Sequence, residues 1–198
     1  MTGCNIILAG VGGQGVILFA EILGEAAVRE GYNVRVSEIH GMAQRGGAVV
    51  SDVRIGEKTM APTVLDGTAD VIVGLESMEA LRNIKYANGK TVVLINTATI
   101  KPTVVLQNAS YPALESMLEK MRLFTRNIIT IDATSIAKSL GNVNVLNIVM
   151  LGALAATGKF PVKREIIKNS IRASVSERFV EINLKAFEAG YDEVSTEL

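Results

Sequence analysis

Residues 10–15 read Gly-Val-Gly-Gly-Gln-Gly and directly follow the apolar run of residues 5–9. Gly10, Gly12 and Gly15 satisfy G-x-G-x-x-G, with a predicted strand before and a predicted helix after. Such a turn suits close approach, because glycine has no Cβ and tolerates left-handed backbone. The helix that follows offers unpaired N–H groups to an anion. A dinucleotide fold would add an acid at the end of the second strand to hold the ribose, and Glu38 lies near that place. The competing reading is that these glycines admit a packed helix or a subunit. The run has no Lys-Ser or Lys-Thr ending, so it is not a Walker-type phosphate loop.

A second stretch, residues 37–56, joins two strands through His40-Gly41-Met42-Ala43-Gln44-Arg45-Gly46-Gly47. At a sheet end this loop would carry an imidazole, an amide and a guanidinium towards the first glycine turn. Arg45 suits two-pronged binding of a carboxylate or phosphate, and His40 could serve as general acid or base. Gly46 and Gly47 would let a partner approach the backbone. Arg45 and Gln44 could instead hold loop carbonyls, and a lone His40 could be structural.

The rest of the composition narrows the chemistry. There is one cysteine, Cys4, and one histidine. That excludes an internal disulfide and a Cys/His zinc site. It also excludes an iron–sulfur cluster held by this chain alone, since a cluster takes about four thiolates. No metal site is expected, and Cys4 reads as a small buried side chain. Twenty basic and 20 acidic residues give zero formal charge, which argues against a nucleic-acid partner. The most apolar stretch, residues 145–158, is interrupted by glycine and shorter than the roughly 20 residues of a membrane span, so no membrane association is expected. The N-terminal residues lack a basic region ahead of a long apolar run, so no signal peptide is expected. The cysteine usage suits the cytoplasm.

Positioning these loops requires a sheet. Apolar runs predict strands at residues 6–9, 33–38, 47–55, 71–74, 91–96 and 127–132. Helical spacing predicts helices over 16–28, 76–86 and 111–124, the last with Pro112 at its start. Four further helices are predicted over 133–141, 145–158, 162–174 and 177–190. Strands alternating with helices imply a Rossmann-like, three-layer α/β/α fold with a mainly parallel sheet and a helical C-terminal third. Residues 1–198 read as a single domain.

The motifs LAGVGGQGVI and SEIHGMAQRGGAVVSDVRIG, with GNVNVLNIVMLGALAATGKFP further on, resemble the gamma-domain family of 2-oxoacid:ferredoxin oxidoreductases. HGMAQRGG most resembles the small beta subunits of the indolepyruvate type. The resemblance covers nearly the whole chain. It implies a complex that converts a 2-oxoacid and coenzyme A to acyl-CoA and carbon dioxide, with ferredoxin as electron acceptor. It implies a large alpha subunit carrying thiamine diphosphate, Mg and 4Fe-4S clusters, with coenzyme A as co-substrate; no acidic magnesium motif for thiamine diphosphate occurs in this chain. Under that resemblance His40, Gln44 and Arg45 become the candidates near the active site. Gly10, Gly12, Gly13, Gln14, Gly15, Gly46, Gly47 and Asn147 become candidates for ligand or interface contact. Asn147 matches a family position, although an amide on an apolar helix more often bridges elements. An isolated chain could pair with itself as a homodimer. The alternatives are a gamma subunit of another 2-oxoacid enzyme, or a free-standing NAD-dependent dehydrogenase using Gly10, Gly12, Gly15 and Glu38.

Overall fold

Strand β1 (Cys4–Val11) is buried at every residue but Asn5, as expected of a central strand covered on both faces. The computed structural model describes residues 3–41, 46–57, 61–98 and 111–196. On one side β1 pairs in parallel with β4 (Val71–Gly74), which is followed in parallel by β5 (Val92–Asn96) and β6 (Ile128–Ile131). On its other side β1 pairs antiparallel with β3 (Ala48–Gly56), and β3 pairs antiparallel with β2 (Asn33–His40). The sheet order is β2-β3-β1-β4-β5-β6.

The parallel half matches the expectation, and β3 departs from it. The loop between β2 and β3 is too short to cross the sheet, since a parallel connection takes about a dozen residues or more. The chain therefore turns back as a hairpin. Its loop lies at the same end of the sheet as the glycine turn, because Val11 pairs with Ala48.

Helices cover both faces. Ile6, Leu8, Val53, Val73 and Leu94 pack with Phe19 and Leu23 of α1 (Val16–Arg29) and with α5 (Leu146–Ala156). Ile7, Ile72, Val93 and Ile95 pack with Ala80 of α2 (Ser77–Arg82) and with Met117 and Met121 of α3 (Leu114–Met121). Burying each large side chain is worth about 1.5–3 kcal/mol.

The C-terminal part is helical as expected: α4 (Ala133–Ser139), α5, α6 (Arg164–Ser174) and α7 (Glu177–Ser195). Asp132 caps α4 by accepting the Ser135 N–H at 2.9 Å. Helices α5 and α7 approach through paired glycines. A Cβ on Gly152 would lie 1.9 Å from the Phe187 carbonyl oxygen, and one on Gly190 would lie 1.9 Å from that of Val149.

Two predicted helices are shorter than their patterns. The one over 76–86 is α2 followed by a 3-10 turn at Ile84–Tyr86. The one over 111–124 starts at Leu114, with Ala113 extended as its N-cap and Pro112 outside it. Among the described residues no helix is long and apolar enough to cross a membrane.

Candidate functional site

The turn after β1 is shaped by its own side chains. Gln14 Oε1 accepts the Val11 N–H at 2.8 Å, and Gln14 Nε2 donates to the Leu75 carbonyl at 2.9 Å. The same carbonyl accepts Asn96 Nδ2 at 3.1 Å, and that nitrogen also reaches Thr134 Oγ1 at 3.1 Å. One amide thus ties the turn to the ends of β4 and β5. Gly10 must lack a Cβ, which would sit 2.8 Å from Gln14 Oε1 and 2.9 Å from Val16 Cγ2. Gly15 is the left-handed N-cap of α1 at φ 75°. Buried Asn147 donates its Nδ2 to the Gly15 carbonyl at 3.2 Å. Asn147 therefore bridges α5 to the turn. Gly13 differs from both: its φ is 99° and none of the described residues lies within 4 Å of where its Cβ would be.

The second loop does meet the first. The Gly12 N–H donates to the Gly47 carbonyl at 2.8 Å, and the Gly46 N–H reaches the Gly12 carbonyl at 3.5 Å. His40 ends β2 and is exposed, with Nε2 3.6 Å from Glu38 Oε2. Gln44 and Arg45 lie outside the described residues.

Between these elements opens a cleft of about 800 Å³. Its walls are Gly12 and Gly13, the first turns of α1 through Ile17 and Glu21, and the ends of β2 and β3 at His40 and Val49. The N-cap of α1 is Gly15, which has no side chain to cap the helix. The first turn of α1 lines the cleft, with the positive end of the helix dipole there. The arrangement suits a ligand with an anionic group and an apolar body.

The reading from sequence passed over a carboxyl beside the turn. Glu76, two residues after the end of β4, is buried; its Oε2 accepts the Glu79 N–H at 2.9 Å and its Oε1 accepts the Tyr111 hydroxyl. Burial holds the Glu76 carboxyl above the usual range. Burial raises Glu79 as well, against the opposing pull of Arg82 at 2.5 Å. The available signal was an acid placed directly after an apolar run, where a strand end and a helix start coincide.

The NAD arrangement is not built here. Because β3 lies between β1 and β2, Glu38 is two strands from the glycine turn, roughly 10 Å across the sheet. A dinucleotide fold sets that acid on the adjacent strand. Nor does the donor set suit a metal cofactor. Among the described residues no group of three His, Cys, Asp or Glu side chains could hold a metal ion. The Cys4 thiol is pushed up to about 12 by burial and by Asp70, which disfavours the thiolate that metals bind.

The model of the pyruvate ferredoxin/flavodoxin oxidoreductase family matches residues 5–193. The chain belongs to that family. Indolepyruvate oxidoreductase subunit IorB of Thermococcus kodakarensis is 43% identical over 188 residues, 94% of this chain and 93% of that one. The protein of the same name from Archaeoglobus fulgidus is 40% identical, covering 96% and 94% of the two chains. Ketoisovalerate oxidoreductase subunit VorA of Methanothermobacter marburgensis is 32% identical over 95% of this chain, yet the match spans only 36% of VorA. Among solved structures, the gamma subunit of a keto/oxoacid ferredoxin oxidoreductase from Geobacter sulfurreducens superposes with a TM-score of 0.70 at 29% identity, covering 98% of this chain and 99% of that one. Within the family, then, the glycine turn sits in an oxidoreductase subunit.

Proposed function

We propose that this chain is the small subunit of an indolepyruvate-type 2-oxoacid:ferredoxin oxidoreductase. The observation that carries the reading is near full-length identity of 40–43% with subunits of that name. The complete enzyme would take an aryl 2-oxoacid and coenzyme A to acyl-CoA and carbon dioxide, passing two electrons to ferredoxin. Thiamine diphosphate, Mg and 4Fe-4S clusters belong in this reading to the larger alpha subunit, because the buried, high-pKa Cys4 gives a cluster no purchase here. Those groups supply the decarboxylation and electron-transfer chemistry. The single cysteine and the lack of a described membrane-spanning helix are compatible with a cytoplasmic enzyme.

In this reading the cleft faces the active-site mouth of the larger subunit. The N–H groups at the start of α1 take an anionic group, whether a coenzyme A phosphate or the substrate carboxylate. His40 stands at the rim, Arg45 positions the anion and Gln44 hydrogen-bonds to it. Gly12, Gly46 and Gly47 form the backbone seam that holds the loop there.

The test is co-purification of this chain with the larger subunit, followed by indolepyruvate- and coenzyme A-dependent reduction of a low-potential dye. Activity only with both chains present is the expected result. NADH binding by the small chain alone, with no association, would return the glycine turn to dinucleotide binding. Arg45→Ala in the assembled enzyme should lower turnover. Unchanged turnover and unchanged assembly would remove Arg45 from the site, and loss of assembly alone would make its loop a scaffold.

A further inference from the structure

The two edges of the sheet are built differently. Strand β6 has four residues, whereas β2 has eight and contains neither proline nor glycine. Proteins usually blunt an edge of that length, because its outer N–H and C=O groups template another strand. Among the described residues β2 pairs only with β3.

Its side chains add a second observation. Val36 faces α1, since a Cβ on Gly24 would lie 3.8 Å from Val36 Cγ2. Ile39 is three residues on, so it points to the opposite face. There it pairs with Val50, which packs against the Ile7–Ile72 cluster. Val36 is 39% exposed and Ile39 62% exposed. A helix laid on either face would bury only one of them. An element lying alongside the edge, with side chains on both faces, buries both.

We infer that β2 accepts a seventh strand from the larger chain of the oxidoreductase. This rests on the small-subunit reading above. The strand carries apolar side chains beside Val36 and Ile39, a basic residue on the Glu38 face and an acidic one on the Arg35 face. Among the described residues Glu38 makes one ion-pair contact, with His40, and the Arg35 guanidinium makes one hydrogen bond, to the Val34 carbonyl.

A second copy of β2 fits poorly. Residues directly opposite in an antiparallel pair share a face. A two-fold axis at Ser37 therefore sets Val36 against Glu38 and Arg35 against Ile39. An axis at Val36 sets Ile39 against Asn33 and Val34 against Glu38. Axes at Arg35 or Glu38 oppose like charges. The longer VorA chain, of which the matching stretch is 36%, shows a relative in which further polypeptide is tethered to this domain.

The experiment is hydrogen exchange of the peptide covering residues 33–40, in this chain alone and in its complex with the larger subunit. Exchange should slow at least tenfold in the complex. Ile39→Lys should weaken the association at least tenfold with the melting temperature unchanged. Leu123→Lys, at an 84% exposed side chain in the α3–β6 connection, should not weaken it. A complex that forms with residues 33–40 exchanging as in the free chain overturns the inference and leaves the small-subunit reading intact. No complex at all overturns both. A concentration-dependent dimer of this chain that protects the same peptide places a second copy on β2 and also overturns it.

Discussion

Glycines do opposite work in two regions of this molecule. Where α5 crosses α7, Gly152 and Gly190 are absences that the chain itself fills: each missing Cβ is replaced by a backbone carbonyl of the other helix at 1.9 Å. In the turn after β1, Gly10 and Gly15 are of that kind, pressed by Gln14 and Asn147, but Gly13 has nothing of the described residues within 4 Å. The first region uses glycine to bring helices together, as small residues do wherever backbones must meet. The second keeps one glycine open towards a cleft. A glycine-rich motif is thus a mixture of internal packing and external access, and only the surroundings of each missing Cβ separate the two.

The largest effect should come from filling the crossing. In Gly190→Ala the new methyl must move about 1 Å or more from the Val149 carbonyl before any ordinary contact is possible. That displaces α7 along an interface that buries Phe187 and Ala186. Overpacking of this severity costs about 3 kcal/mol or more, so the melting temperature should drop by roughly 10 °C. Thermal unfolding of the variant checks this. A loss below 1 kcal/mol would mean that the crossing relaxes easily and would erase the contrast with the turn.

Filling the open position should cost less and act elsewhere. Gly13→Ala meets no atom of the described residues, so its penalty is the left-handed backbone at φ 99°, about 1–2 kcal/mol. The expected signature is functional: in the assembled enzyme KM for the anionic ligand should rise at least threefold with kcat retained. A KM equal to wild type would show that Gly13 faces only solvent, and would make the turn wholly a packing device.

This difference was partly legible beforehand. Apolar runs placed all six strands; β1, β4 and β5 are buried on both faces and have little choice of residue type, whereas the exposed β2 is marked by its alternation. The turn and the His40 loop were rightly expected to meet, as the Gly12–Gly47 hydrogen bond shows. The antiparallel β3 was also written in the sequence, in a connection too short to cross the sheet, but alternation of strands and helices outweighed it. The Gly152–Gly190 contact was not legible, because it exists only once two distant segments cross. Gln14 is expected at a ligand or interface contact, and the structure shows both ends of its amide bonded to Val11 and Leu75. A side chain that short reaches the chain's own backbone first, and its spacing from Gly10 does not reveal the direction. Glu76 was hidden in what read as the start of a helix, where an acid is ordinary.

Glu76 supplies the smallest effect and the one that separates the regions by pH. Burial raises its carboxyl pKa above the usual 4.5, so the folded state holds the proton more tightly than the unfolded state. Its contribution is fully favourable below pH 4.5 and is lost as pH rises through the raised value. Glu79 and Asp52, also raised by burial, add to the same trend. Half-buried Glu30 and exposed Glu165, lowered by hydrogen bonds to Lys163 and Lys168, run the other way, the latter screened by solvent. Glu76→Gln keeps an oxygen to accept from the Glu79 N–H or the Tyr111 hydroxyl and removes the charge that burial opposes. Stability at pH 7 should stay equal or rise by up to about 1 kcal/mol, and the fall in stability between pH 4.5 and 7 should flatten. Denaturant titrations across that range measure both. Glu76 bonds Glu79 and Tyr111, whereas the α5–α7 crossing is made by Gly152, Gly190, Val149 and Phe187, so the two share no partner among these residues. The variant should therefore leave the penalty of Gly190→Ala unchanged, since independent sites add within about 0.5 kcal/mol. Strong coupling between the two would mean that the turn and the helical crossing respond as one unit, and that Gly13 is held open by the same packing that closes Gly190.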